Sequence, residues 1–166
     1  SSINLNYKGF LFYMMGQFET ALPYFKRSLD LQPELPFPVV YIGACHLLNG
    51  RQKEGLTYFM NLPEDNTGYL AKIGGTTIAH SIMGNKAEAE AGILNLESYL
   101  NSPSAGNALN FLILCHAQLK NLDIALGYIK KAIENHFPLV LLLPTEPLAE
   151  PLHKLPEFIA HIAGII

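Results

Sequence analysis

Three glycines stand 34 residues apart, at Gly16, Gly50 and Gly84. The text around them repeats as well: GQFETALPYFKRSLDLQPE from Gly16 and GNKAEAEAGILNLESYL from Gly84 write the same amphipathic helix. Five residues after each glycine comes a small residue (Ala21, Gly55, Ala89), and four further on a large apolar one (Phe25, Phe59, Ile93). A fourth copy opens as KNLDIAL with Ala125 in the small slot and has Ile129 in the large one, with two extra residues that fall in NSPSAG around Pro103 and Gly106. A unit of this length has an apolar face it cannot bury alone, so a fixed period means stacked copies sharing a continuous core.

The period resolves into helix-turn-helix units. First helices are expected over Ser2–Met14, Phe37–Leu48, Tyr69–Ile82 and Asn107–Leu119, and second helices over Phe18–Leu31, Gln52–Leu62, Lys86–Leu100 and Leu122–Asn135. Glycine at the turn permits the left-handed backbone that closes a helix. The small residue lets the two helices approach, and the large one fills the space between neighbouring pairs. Prolines 33, 36, 63, 103 and 138 mark unit ends, whereas Pro23 falls early in its helix, where its cost is lower.

This pattern resembles the tetratricopeptide repeat family. Gly9, Phe12, Gly16, Phe18, Ala21, Phe25 and Pro33 sit at that family's signature spacings. The second unit keeps Gly43, Gly50 and Phe59 but has Gly55 where alanine is usual, the third has Thr77 for the first-helix glycine, and the fourth has Lys120 for the turn glycine. The resemblance implies an all-α fold: a right-handed α-solenoid of about four repeats (about 2–35, 36–68, 69–104 and 106–136) with a C-terminal capping segment over 137–166. The closing PTEPLAEPLHKLPEF resembles a tail found after bacterial repeats of this kind, where such arrays end larger regulators. Leu148, Leu152, Leu155, Phe158, Ile159 and Ile162 are spaced to cover the last repeat, with Pro156 opening a short helix. A second arrangement has the tail fold back into the binding groove.

In the family the first helices line a concave groove. The equivalent positions here are mostly apolar, and the partner-binding residues they imply are Phe10, Tyr13, Met14, Val40, Leu47, Leu48, Ile78, Ile82 and Leu114. Asn107 and Asn110 lie at groove positions of the fourth unit. No lysine and arginine set is present to clamp a carboxylate tail. The surface therefore suits an amphipathic helix or apolar segment of a protein partner or of another domain, unless the tail, a further repeat or a second copy (a homodimer) covers it. Substitution of Tyr13 and Leu47 by alanine is expected to abolish capture and leave helicity intact.

Other patterns invite chemistry. His46, His80 and His116 share one repeat position. Stacked helices stand roughly 10 Å apart, whereas ligand nitrogens must come within about 2 Å of a zinc ion, so flat rings packing between helices are the expectation. Cys45–His46 and Cys115–His116 are sequence neighbours, yet adjacent helical residues point about 100° apart. His153, Glu157 and His161 are read as the wet side of the cap. KIGGTT at Lys72–Thr77 lacks the phosphate-loop order of glycine, lysine and hydroxyl residue. Glu88, Glu90 and Glu97 read as solvated helix positions. No catalytic residue, metal site or cofactor is assigned.

Composition narrows the remaining classes. Apolar residues make 49% and charged residues 15% of the 166, with a net charge of −3, which leaves no basic footprint for nucleic acid. The apolar runs FLFYMM and LVLLL are too short to cross a membrane. Two distant cysteines suit free thiols in a reducing, cytoplasmic setting. Ser1 in place of methionine, with Ile3, Leu5 and Tyr7 close behind, reads as a piece of a longer chain. The expected role is that of a non-enzymatic interaction and scaffolding module, the C-terminal regulatory part of a bacterial signalling or transcription-regulating protein. A free-standing adaptor and an enzyme using the histidines or Cys–His pairs are the alternatives.

Overall fold

The computed structural model describes residues 1–64 and 69–165. Among them every regular element is helical: α1 Ser2–Met14, α2 Phe18–Leu31, α3 Pro36–Leu48, α4 Gln52–Met60, α5 Tyr69–Met83, α6 Lys86–Glu97, α7 Ala105–Gln118, α8 Leu122–Glu134 and α9 Pro156–Ala163. Two 3-10 helices, Pro138–Leu142 and Pro147–Leu152, precede α9. The helices match the expected list element for element, with α1 and α2 to the residue. The stretch 65–68, in the expected second unit, lies outside the described residues. α6 stops at Glu97 rather than Leu100 because its end tightens: Tyr99 and Leu100 donate to carbonyls only three residues back, at 3.0 and 3.1 Å. α2 runs through Pro23, whose missing N–H would have met the carbonyl of Glu19; both residues are exposed, so the lost bond falls on the solvent side of the helix.

The chain forms two compact units, Ser1–Ala79 and His80 onward. In the first, α1 and α2 pair, held at one end by Ser28 Oγ donating to the Ser2 carbonyl (2.9 Å) and Ser2 Oγ donating to Gln32 Oε1 (2.8 Å). α3 leans chiefly on α2 and also touches α1, and α4 pairs with α3. Phe25 and Phe59 are fully buried against glycines. A Cβ on Gly9 would come within 2.9 Å of the Phe25 ring, and one on Gly43 or Gly75 would overlap the Phe59 ring outright. The Phe59 ring of α4 therefore lies between the backbones of α3 and α5. In the second unit α6 packs on α7 and α7 pairs with α8. There the sequence has Ile113 and Ile129 in place of glycine and phenylalanine, both buried, so the large group is shared between the two positions.

The turns are built alike. Gly16 sits at φ 74°, Gly50 at 80° and Gly84 at 76°; Lys120 takes the same left-handed conformation at 63°. Gly16 N–H donates to the Tyr13 carbonyl (2.9 Å) and Gln17 N–H to that of Phe12 (2.8 Å), the paired bonds that satisfy a helix C-terminus. Gly50 and Arg51 repeat this pair at Leu47 and His46, and Lys120 and Asn121 at Ala117 and His116.

Candidate functional site

The expected partner-binding residues divide by burial. Tyr13, Leu47, Ile78 and Leu114 are buried, while Phe10, Met14, Val40, Leu48 and Ile82 are half-buried. Tyr13 belongs to an aromatic core of the first unit, its ring 4.9 Å from Tyr41 and 5.7 Å from Phe18. Tyr41 also meets Phe10 edge-on at 5.3 Å and stacks on Phe25 at 5.4 Å. Leu47 fills the space over Gly55, where a Cβ would come within 2.7 Å of its Cδ2. The test that replaced Tyr13 and Leu47 by alanine is corrected on this point: both are core, so their removal opens cavities and costs stability as well as any contact. Of the expected groove positions on α1 and α3, Phe10, Met14, Val40 and Leu48 remain partly accessible. Ile82 belongs to the second unit.

The tail covers the fourth first-helix. Both 3-10 helices pack chiefly on α7 rather than on α8, whereas α3, the next element after the first pair, leans chiefly on α2. Gln118 Nε2 donates to the Leu148 carbonyl at 2.6 Å. Leu114, Ala117 and Leu148 are buried and Asn110 is half-buried, so the expected groove residue Leu114 is closed to a partner. Leu152, Phe158 and Ile162 are buried as expected, Leu155 is half-buried and Ile159 is exposed. Val140 and Leu143 join this core as well. Buried Glu146 caps the second 3-10 helix, accepting from Leu148 N–H at 3.0 Å. His153 lies outside α9 and turns inward, 2.7 Å from the Leu143 carbonyl through Nε2, so it is not on a wet helix face. Glu157 is exposed and His161 half-buried.

The three repeat histidines have a shared task that their spacing alone did not reveal. Each carries the carbonyl that closes its helix, and each also receives the side chain of the residue five positions later, just past the turn. Arg51 Nε donates to His46 Nδ1 at 3.2 Å, Asn85 Nδ2 lies 3.1 Å from His80 Nδ1, and Asn121 Nδ2 lies 3.4 Å from His116 Nδ1. At His46 the donor is a guanidinium, so Nδ1 accepts and is unprotonated there. Burial lowers the pKa of His46, and Arg51 pushes it the same way while Glu54 opposes. Burial lowers that of His116, opposed by Glu97. The sequence signal was a histidine followed at i+5 by asparagine or arginine. Glu19 of α2 adds to the second turn, accepting from Asn49 Nδ2 and pairing with Arg51 Nη1. No three His, Cys, Asp or Glu side chains gather as a metal site among the described residues.

Two further groups complete the chemistry. In the second unit a cleft of about 490 Å³ is lined by Lys86, Glu90, Leu94, Glu97 and His116, among others. At its edge Tyr128 donates to Glu97 (2.7 Å) and stacks on His116 (5.7 Å); burial first, then Glu97, pushes the Tyr128 phenol up to about 12. Glu97 is thus tied into packing, not simply solvated. Cys45 and Cys115 are buried, and burial pushes the Cys115 thiol up to about 12. A thiol held neutral in this way is a poor nucleophile at neutral pH. No helix among the described residues is long and apolar enough to cross a membrane. No family model, curated protein or solved structure matches this chain.

Proposed function

We propose that the chain is a tetratricopeptide-like interaction module whose helix pairs continue one another as a right-handed solenoid. In this reading it serves as the regulatory, protein-binding part of a larger bacterial cytoplasmic signalling or transcription-regulating protein. The carrying observation is the half-buried apolar row Phe10, Met14, Val40 and Leu48 on two successive first helices, beside the aromatic cluster of Tyr13 and Tyr41. The row suits the apolar face of an amphipathic helix, from a partner or from another domain of the same protein. Burying such a face yields about 25 cal/mol per Å² before ordering costs. The test is Met14→Glu combined with Leu48→Glu, both at half-buried positions, with partner capture and helical content read together. Loss of capture at unchanged helicity is expected; unchanged capture removes this row from the binding surface.

A further inference from the structure

Ile3, Tyr7, Leu11 and Met15 stand at four-residue intervals along α1 and its cap, and all four are exposed. Intervals of four place side chains along one helix face. In the chain's own register, Tyr7 corresponds to Tyr41, Gly75 and Phe111, and Leu11 to Cys45, Ala79 and Cys115. Tyr7 is 64% and Leu11 63% exposed, whereas Cys45, Ala79 and Cys115 are 0% and Phe111 is 7% exposed. The Leu11 position is closed in every later helix, and the Tyr7 position is half-buried at Tyr41 and buried at Gly75 and Phe111, yet both stand open in α1.

The first unit shows what closes them. α2 covers α3, with Phe25 stacked on Tyr41. α4 lays the Phe59 ring over Gly75 of α5. Each covering helix carries a small residue followed four positions later by phenylalanine: Ala21 and Phe25, Gly55 and Phe59. Tyr7 keeps the aromatic platform of Tyr41. Leu11 is larger than its counterparts Cys45, Ala79 and Cys115.

We propose that Ile3, Tyr7, Leu11 and Met15 form an open repeat seam that takes one amphipathic helix of this second-helix pattern, its aromatic residue laid on Tyr7. The row spans about 18 Å at 1.5 Å per residue, the footprint of a single helix. Within the first unit the equivalent positions are covered by second helices of the same chain, Phe25 of α2 on Tyr41 and Phe59 of α4 on Gly75, so the occupant is a tethered helix of that pattern rather than a second copy docking the same face. This seam is separate from the Met14 and Leu48 row and stands or falls independently of it.

The test extends the full chain at its start with a copy of residues 17–34, which restores the register that α2 has to α3. A parallel extension in a Leu11→Cys background makes the seam identical to α3 at that position. The expected result is a rise of about 4 °C or more in the thermal midpoint in at least one background, lost on Tyr7→Asp. An unchanged midpoint in both backgrounds, or a rise that survives Tyr7→Asp, overturns the proposal. So does sedimentation of the unextended chain as a dimer that Tyr7→Asp converts to monomer, since the face would then belong to a second copy.

Discussion

Alanine at Gly75 should reverse its usual sign. An interior helical glycine replaced by alanine ordinarily gains about 1 kcal/mol, and Gly75 lies well inside α5. Its missing Cβ, however, is the space taken by the Phe59 ring, and Gly43 gives up the same space on the other side. The ring is 1% exposed. Overpacking costs about 1–3 kcal/mol, and a ring driven fully from its site approaches the 3–5 kcal/mol of a large-to-small core substitution. Subtracting the helix gain leaves a net loss of about 2 kcal/mol for Gly75→Ala or Gly43→Ala, a midpoint roughly 4–8 °C lower at this chain length. Gly9→Ala should lose less, because its Cβ would stop 2.9 Å from the Phe25 ring and a small shift relieves it. In a Phe59→Ala background the sign should change, with Gly75→Ala raising the midpoint by about 2–4 °C over the single variant. Thermal unfolding by circular dichroism measures the native protein and each of these variants. Stabilisation by Gly75→Ala in the native background, or equal loss in both, would refute the packing argument.

Other consequences can be measured separately. Lys120→Gly relieves a left-handed lysine at φ 63° and should stabilise by about 1 kcal/mol, whereas Gly16→Ala should cost about the same; urea midpoints report both. His46 and His116 have folded pKa values below 6.5, so the unfolded chain takes up their protons first as pH falls. Stability should therefore be full above pH 7.5, fall through about 6.5 and level off below the depressed folded values. The groups facing them, Arg51, Glu54, Glu19 and Lys26 for His46 and Glu97 for His116, set the residual slope, and His46→Gln with His116→Gln should flatten it between pH 8 and 5.5. Cys45 and Cys115 should resist Ellman's reagent in the folded chain and react in denaturant; fast labelling at neutral pH would revive a thiol nucleophile.

The period of 34 made the helices legible, because it superposes four copies of one pattern and averages out local exceptions such as Pro23 and Lys120. The close approach at Gly43 was visible as a glycine but not as a cradle, since the ring that fills it comes from α4 and also reaches Gly75. Burial of Tyr13 and Leu47 was missed because positions carried over by resemblance say which side a residue faces, not how large its neighbours are. Here Tyr41, Phe18 and the bare Gly55 draw those side chains inward. The 3-10 turns of LVLLL and EPLAEPL have no helical period to read, so Val140 and Leu143 stayed hidden. The turn histidines looked like candidate ligands because their partners lie five residues on, outside both helical and metal-site spacing.

The most direct test of the central claim is photo-crosslinking from the accessible row. A benzophenone amino acid at Met14 or Leu48, with Thr57 as an exposed control on α4, would be activated in the protein in its native source. The account predicts one defined adduct, a helical segment of a partner or of the same polypeptide, from both row positions and not from Thr57. Adducts that are absent from both row positions, or that match those of Thr57, would contradict it.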